Sequence, residues 1–180
     1  MNHTLFVLLF NILRQMPIHY GSRALNYHTI SSPLGTQLPQ AVGVAYKMKL
    51  DNLKHNQDQH KHGSISIAYF GDGAASTSDF HSSLNFAAML KVPMIFFCRN
   101  NGFAISTKIT EQYVSDGIVV CQIRANGMAA IRMDGNDVSA VNAATRSAHE
   151  YAIQHSEPVL IEAITHCQGH HNTSDDSYQY

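Results

Sequence analysis

The sequence predicts an α/β fold in which a parallel sheet is flanked by helices. Two short apolar runs, at residues 65–70 and 93–98, have the length and composition of buried strands. Residues 78–90 lie between them and carry apolar side chains at helical spacing. A further helical pattern at 138–155 separates two more strand-like segments, so the chain contains two βαβ units on one sheet.

The first βαβ unit places two polar turns at one edge of the sheet. Its first strand stops at a Gly-Asp-Gly turn, residues 71–73, and its second stops at an Arg-Asn-Asn-Gly turn, residues 99–102. Such units cross over right-handed and their strands are parallel, so both turns follow the carboxyl ends of the strands. We therefore expect Asp72 and Asn101 to converge, although they are far apart in the sequence.

The remaining elements follow from the same kind of pattern. The central helix has three candidate caps, Ser76, Ser78 and Asp79. The other predicted elements are a helix at 36–49, a polar loop at 51–63, a strand at 129–133, a turn at 134–137 that caps the helix at 138–155, and a strand at 158–165. Residues 108–127 have no clear periodicity, and the apolar segment 5–13 is expected to form a packed helix or to contact a partner.

Length and composition bound the class of protein. The 180 residues, 44% of them hydrophobic and 14% charged, suffice for one globular domain with a core. A net charge of −1 gives no electrostatic case for binding nucleic acid or an anionic membrane. The apolar run 5–10 is too short to span a bilayer. Cys98, Cys121 and Cys167 have no paired spacing, which favours a reducing compartment.

The two polar turns carry the donor atoms of a magnesium site. The Asp72 carboxylate, the Asn101 amide oxygen and a backbone carbonyl just beyond are hard oxygen ligands, which suit Mg²⁺. Gly71 and Gly73 let a phosphate approach the backbone, and the N-terminus of the following helix favours negative charge. No Walker lysine follows, so the pattern disfavours a nucleotide triphosphatase.

Two other ligand sites are weaker alternatives. His55, His60 and His62 could bind a metal, but a solvated loop accounts for them more simply. A nicotinamide-binding fold requires a GxGxxG turn, whereas here an acid lies inside the turn, where it would repel a pyrophosphate that carries no metal. We rank the nicotinamide hypothesis last.

Several motifs, in order, resemble one known family. The Gly-Asp-Gly turn followed by the Asn-Asn pair resembles the thiamine-diphosphate motif, and ISSPLGTQLPQAVG, FFCRNNGFAIST, RMDGNDV and GHHNTSDDS resemble the alpha subunits of branched-chain 2-oxoacid dehydrogenases. The similarity covers about residues 13–180. It implies a thiamine-diphosphate-binding fold, incomplete at both ends, with an unmatched segment at 1–12, a binding domain at 13–168 and a polar loop at 169–180.

The resemblance also implies site residues. Contacts to thiamine diphosphate are assigned to Ser32, Leu34, Gly71, Asp72, Gly73, Ala74, Arg99 and His171. Mg²⁺ is assigned to Asp72, Asn101 and the Phe103 carbonyl, and a structural K⁺ is assigned to Ser31, Pro33, Thr36 and Gln37. His171 matches a histidine that helps reductive acylation in the family, so it is the expected catalytic residue.

The activity implied by this resemblance is oxidative decarboxylation of branched-chain 2-oxoacids, with acyl transfer to a lipoyl group on an acyltransferase core. The family works in branched-chain amino acid catabolism in the mitochondrial matrix. Its alpha subunit assembles with a beta subunit as an α₂β₂ heterotetramer, and the carboxylate that activates the cofactor's aminopyrimidine ring belongs to the beta subunit.

Two alternatives remain open, one because of departures from the family pattern and one because pyruvate dehydrogenase alpha subunits share the Gly-Asp-Gly and Asn-Asn motifs. His166 and Cys167 stand where the family has tyrosine and arginine, and Asn172 replaces the serine whose phosphorylation silences the family's enzymes. The family's upstream diphosphate-gripping tyrosine and arginine, and its C-terminal helices, have no counterpart here. One alternative is a truncated, non-catalytic paralogue that acts as an assembly or interaction module, and the other is a pyruvate dehydrogenase alpha-type subunit.

Overall fold

The fold is described from a computed structural model, which covers residues 19–54, 63–114, 127–171 and 175. The predicted segment 5–13, the histidines at 55, 60 and 62, Cys121 and Asn172 lie outside those residues. Cys98 and Cys167 are both free thiols.

The described part of the chain contains six strands and five α-helices. The strands are β1 (Ser66–Gly71), β2 (Met94–Asn100), β3 (Phe103–Ala104), β4 (Thr107–Lys108), β5 (Ala129–Asp134) and β6 (Val159–Ile164). The helices are α1 (Gln37–Lys54), α2 (Asp72–Ala75), α3 (Ser78–Leu90), α4 (Ile109–Gln112) and α5 (Val138–His155). Within these ranges no helix combines the length and the apolar character of a transmembrane span.

The main sheet has four parallel strands in the order β1-β2-β6-β5. Both predicted βαβ units, β1-α3-β2 and β5-α5-β6, are therefore confirmed. The two units run in opposite directions across the sheet, so the order reverses between β2 and β6. The crevice outside the carboxyl ends of strands at such a reversal is where open α/β sheets bind ligands.

The two faces of the sheet have separate cores. Helices α1 and α3 cover one face, where Leu38, Phe80 and Phe96 are fully buried. Helix α5 covers the other through Ala148 and Ala152. Because both faces of the sheet are buried, the sequences of the central strands β2 and β6 are nearly continuous apolar runs.

Two expectations about local structure were wrong, and two short helices were missed. Helix α1 continues to Lys54, so residues 51–54 are helical and do not belong to a polar loop. Helix α3 begins after Thr77, which is in extended conformation and makes no side-chain cap, because its hydroxyl donates to the Ala74 carbonyl at 2.7 Å. The Gly-Asp-Gly turn continues directly into α2, and residues 109–112 form α4, although neither short helix was predicted.

Candidate functional site

The carboxyl edge of the sheet brings the two polar turns together, as expected. In the parallel pairing of β1 with β2, Gly71 lies opposite Arg99, so the residues that follow each strand are neighbours. The backbone N–H of Asn101 donates to the Asp72 carboxylate. This hydrogen bond joins two residues that the topology brings to the same edge.

Asp72 is a buried carboxylate whose hydrogen bonding is incomplete. Asp72 is the first residue of α2 and is only 1% exposed. Its Oδ2 has no hydrogen-bond partner. Burial raises the pKa of Asp72 above its usual range, while the N–H groups of Asp72 and Asn101 and the charge of Arg99 act in the opposite direction. A buried oxygen without a partner is rare in folded proteins, so it marks a place where a ligand would be stabilising.

The Asn-Asn turn is held by its own side chains. Asn100 Oδ1 accepts from the Gly102 N–H at 3.0 Å, and Asn101 Oδ1 accepts from the Phe103 N–H at 3.3 Å. Gly102 has a φ of +83°, a conformation that glycine adopts without steric penalty. The turn therefore has a defined backbone, and Asn101 is partly buried within it.

A short antiparallel hairpin, β3 with β4, covers the Asp72 turn. A Cβ atom added to Gly73 would lie 2.8 Å from the Cβ of Ala104, so only glycine allows this approach. Phe103, whose carbonyl is an expected magnesium ligand, pairs with Lys108 in the same hairpin. The hairpin thus places the third expected ligand on the element that packs against the turn.

Arg99 is exposed and lies beside the turn. None of the salt bridges within the described part of the chain includes it. Its charge nevertheless acts on Asp72. A cation that is not engaged by a carboxylate remains available to an anionic ligand.

The residues predicted to contact K⁺ and the rest of the cofactor lie in the segment before α1. The Gln37 side-chain amide donates to the Tyr69 carbonyl of β1 at 3.1 Å, and the Thr36 hydroxyl donates to the Pro33 carbonyl at 3.3 Å. Gly35, at a φ of +84°, packs against Thr77 just before α3. These contacts hold the segment against the first βαβ unit.

Four of the predicted residues in this segment are exposed: Ser31, Ser32, Pro33 and Leu34. The Ser32 hydroxyl is hydrogen-bonded to His19 Nε2 at 2.5 Å. Among the described residues, no side-chain hydrogen bond joins this segment to the Asp72 turn. The segment and the turn are therefore separate parts of the predicted site.

The described part of the C-terminal loop is attached to the hairpin by Asp175. Its carboxylate accepts from the Ser106 hydroxyl at 2.6 Å and from the His171 N–H at 2.7 Å. The His171 side chain is exposed. Sequence patterns did not identify Asp175, although the acidic pair at 175–176 was visible next to a histidine-rich loop.

Sequence reasoning also missed two residues that support the turns. The Tyr113 hydroxyl is 3.3 Å from the Asp72 carbonyl and 3.2 Å from Ser76 Oγ. Glu162 is fully buried and accepts from Asn100 Nδ2 at 2.7 Å. A single acid in the apolar run of β6 was the available signal for Glu162.

The oxygen donors at this edge are mixed rather than a cluster of acids. The described residues contain no group of three or more His, Cys, Asp or Glu side chains that could hold a metal ion. One carboxylate, one amide oxygen and one backbone carbonyl are therefore the available ligands, and hard cations that retain water or bind phosphate use such sets.

Comparisons with known proteins identify relatives of this chain. The mitochondrial 2-oxoisovalerate dehydrogenase subunit alpha 1 of Arabidopsis thaliana is 55% identical over 167 residues, which cover 93% of this chain and 33% of that protein. The corresponding subunits of Caenorhabditis elegans and Homo sapiens are 54% and 52% identical over the same length. The chain spans about a third of the length of these relatives.

Solved structures support the fold. A transketolase from Campylobacter jejuni superposes with a TM-score of 0.63 at 23% identity, covering 75% of this chain and 20% of that one. A transketolase mutant from Pichia stipitis gives the same TM-score at 20% identity and covers the same shares. The family described as dehydrogenase E1 component matches residues 13–180. The chain therefore belongs to the dehydrogenase E1 component family.

Proposed function

We propose that this chain is the cofactor-binding part of an alpha subunit of a branched-chain 2-oxoacid dehydrogenase. Its reaction is the oxidative decarboxylation of a branched-chain 2-oxoacid, with transfer of the acyl group to a lipoyl group on an acyltransferase core. The relatives named above, all 2-oxoisovalerate dehydrogenase alpha subunits, support this choice of substrate class. The observation that carries the proposal is the buried Asp72 oxygen without a partner.

The residues present fit a magnesium ion that carries a diphosphate. The Asp72 carboxylate, the Asn101 amide oxygen and the Phe103 carbonyl are all oxygen donors, and phosphate and water would complete an octahedron. Oδ2 of Asp72 is buried and has no hydrogen-bond partner, so it is open to a cation. Because burial raises the Asp72 pKa, a divalent cation would also remove the cost of keeping this carboxylate ionised.

The diphosphate would lie over the turn that leads into α2. Gly71, Gly73 and Ala74 are proposed to contact it, and the exposed Arg99 offers a charge-assisted contact. When bound, thiamine diphosphate supplies the carbanion chemistry at its thiazolium ring, and the protein orients it. The chain's own residues bind the diphosphate end, while His171 on the C-terminal loop is proposed to help reductive acylation.

The assignments before α1 belong to the same proposal. Ser32 and Leu34 would contact the cofactor, and K⁺ would bind to oxygen atoms of Ser31, Pro33, Thr36 and Gln37. The chemistry fits, because hydroxyl, carbonyl and amide oxygens are hard ligands. The Pro33 carbonyl already accepts from Thr36, so K⁺ would have to share that oxygen.

A beta subunit is the proposed partner, in an α₂β₂ heterotetramer. The described residues that line the Asp72 site include no second carboxylate free to activate the cofactor's aminopyrimidine ring, because Glu162 is engaged by Asn100 and Arg132. The proposed location is the mitochondrial matrix, since the relatives are named as mitochondrial.

A thermal-shift titration tests the cofactor proposal. The full chain, co-purified with a beta subunit, is titrated with thiamine diphosphate and Mg²⁺ together, and in parallel with thiamine plus Mg²⁺ or with thiamine diphosphate plus a chelator. A ligand at a hundredfold excess over Kd stabilises the folded state by about 2.7 kcal/mol. We expect this shift only with the complete pair, and its absence would contradict the proposal.

Substrate assays on the same complex test the reaction. We expect faster decarboxylation of a branched-chain 2-oxoacid than of pyruvate; the reverse order would favour the pyruvate dehydrogenase type. His166 and Cys167, in place of the family's tyrosine and arginine, remove one cation and favour a non-catalytic assembly module as the second candidate. That candidate predicts a stable complex with the beta subunit, no thermal shift and no turnover of either oxoacid.

A further inference from the structure

Glu162 is unusual among the residues of its strand. It is fully buried in β6, whose other side chains are apolar. A buried carboxylate is unfavourable unless it is paired and hydrogen-bonded, so its partners explain its presence. The register of the sheet defines them: Glu162 lies opposite Cys98 on β2 and opposite Arg132 on β5.

Both oxygens of Glu162 are engaged by neighbouring strands. Oε1 accepts from Asn100 Nδ2 at 2.7 Å, and Oε2 accepts from Arg132 Nε at 3.0 Å. Asn100 is two residues beyond Cys98, so it lies on the same face of the sheet. The carboxylate thus connects the carboxyl ends of three strands.

Asn100 in turn fixes the backbone around Asn101. Its Oδ1 accepts from the Gly102 N–H, and its carbonyl accepts from the Thr165 N–H at 2.8 Å. The peptide groups on both sides of Asn101 are therefore held, while the Asn101 N–H donates to Asp72. The Asn100 side chain therefore connects Glu162 to the backbone that follows Asn101.

An ionised carboxylate fixes the orientation of an asparagine amide because it only accepts hydrogen bonds. With Glu162 on one side, the NH₂ group of Asn100 must face β6, and its oxygen must face Gly102. A neutral group that both donates and accepts would tolerate the flipped amide, which would leave the Gly102 N–H facing a donor.

We propose that Glu162 is a positioning residue for the metal-binding turn, which acts by holding the Asn100 side chain and thereby the backbone of Asn101. This inference rests on the magnesium and diphosphate site proposed above. Glu162 does not reach the ion in this role; it sets the geometry of a ligand. Substitutions at such supporting positions typically weaken metal affinity by about 10- to 100-fold.

The test reverses the direction of the hydrogen bond. Asn100→Asp places a carboxylate against Glu162, whereas Glu162→Gln leaves the Asn100 amide free to flip. In the double variant, Asn100→Asp with Glu162→Gln, the new glutamine amide can donate to the new carboxylate and accept from Arg132, and the net charge equals that of the parent. The complex with a beta subunit is titrated calorimetrically with Mg²⁺ at saturating thiamine diphosphate.

We expect each single variant to raise the half-saturating Mg²⁺ concentration about tenfold or more, and the double variant to recover most of the loss. The matched control is Glu157→Gln, the same replacement at the amino end of β6, where Glu157 pairs with Lys91. It should leave the Mg²⁺ requirement unchanged.

Unchanged Mg²⁺ affinity in both single variants would overturn the inference, and so would a loss that the double variant does not recover, because a merely electrostatic or structural role would give that result. If Glu162→Gln does not fold, Asn100→Ser takes its place and must show the same loss. If the parent binds no Mg²⁺ with thiamine diphosphate, the proposed function itself fails and the inference falls with it; a parent that binds normally isolates the role of Glu162.

Discussion

Two acidic glycine turns follow parallel strands in this chain and lead into helices, one after β1 (residues 71–73) and one after β5 (residues 134–137). The second is an exposed turn in which each of two carboxylates accepts a hydrogen bond from a nearby backbone N–H. Asp134 Oδ1 accepts from the Asn136 N–H at 2.8 Å, and Asp137 Oδ1 caps α5 by accepting from the Ser139 N–H at 2.8 Å.

The first turn has the same residue types in a different environment. Tyr113 and the β3-β4 hairpin pack over it, and Asp72 has a buried oxygen without a partner. Around the second turn the carboxylates are exposed, so water and local N–H groups satisfy them. Burial, and not the Asp-Gly sequence, therefore distinguishes the candidate binding site at the first turn from the helix cap at the second.

The largest expected effect comes from replacing aspartate by asparagine in the first turn, with the same replacement in the second turn as the control. Asp72→Asn should abolish the thermal shift with thiamine diphosphate and Mg²⁺, because the carboxylate ligand is lost. Without ligand, the variant should be more stable than the parent by about 1 kcal/mol, since an incompletely bonded buried charge is removed. Asp134→Asn, which keeps the acceptor for Asn136, should leave both quantities unchanged.

The pH dependence of Asp72→Asn follows from the direction of the pKa shift. Burial raises the Asp72 pKa in the folded state, so folding favours its protonated form, and the parent loses stability as pH rises from the unfolded value of about 3.9 through the raised one. The advantage of the variant should therefore grow over that window and vanish below it. Chemical denaturation of the ligand-free chain at several pH values measures this, and an advantage that is largest at low pH would contradict it.

An intermediate effect tests the close packing of the hairpin on the first turn. Gly73→Ala places a Cβ 2.8 Å from Ala104 and should destabilise the fold by about 1–3 kcal/mol. The control is Gly43→Ala in α1, where nothing lies within 4 Å of the new methyl group and stability should rise by about 0.5–1 kcal/mol. Urea denaturation measures both, and equal signs would show that the packing is looser than described.

The smallest effect concerns the second turn. Asp137→Ala removes the cap of α5 and should cost about 1 kcal/mol without changing the Mg²⁺ requirement. Asp137→Asn keeps the acceptor and should restore the stability. A change in Mg²⁺ requirement with Asp137→Ala would mean that the two turns are not independent, and the comparison would have to be revised.

Much of the fold could be predicted because its signals are local. The apolar runs predicted β1, β2, β5 and β6, and helical spacing predicted α3 and α5 with their bounds. The cap at Asp137 was visible for the same reason. The extension of α1 to Lys54 and the N-cap position of Thr77 before α3 were not, because polar helix ends carry no apolar periodicity.

The sequence alone determined that Asp72 and Asn101 follow the carboxyl ends of two parallel strands, because a right-handed crossover leaves no other edge for them. Only the tertiary structure decided which acids are buried and what each one touches. Oδ2 of Asp72 lacks a partner while both oxygens of Glu162 are engaged, and that difference arises from strands and a hairpin that are distant along the chain. Hydrogen bonds across a sheet depend on register and burial, which no local pattern records.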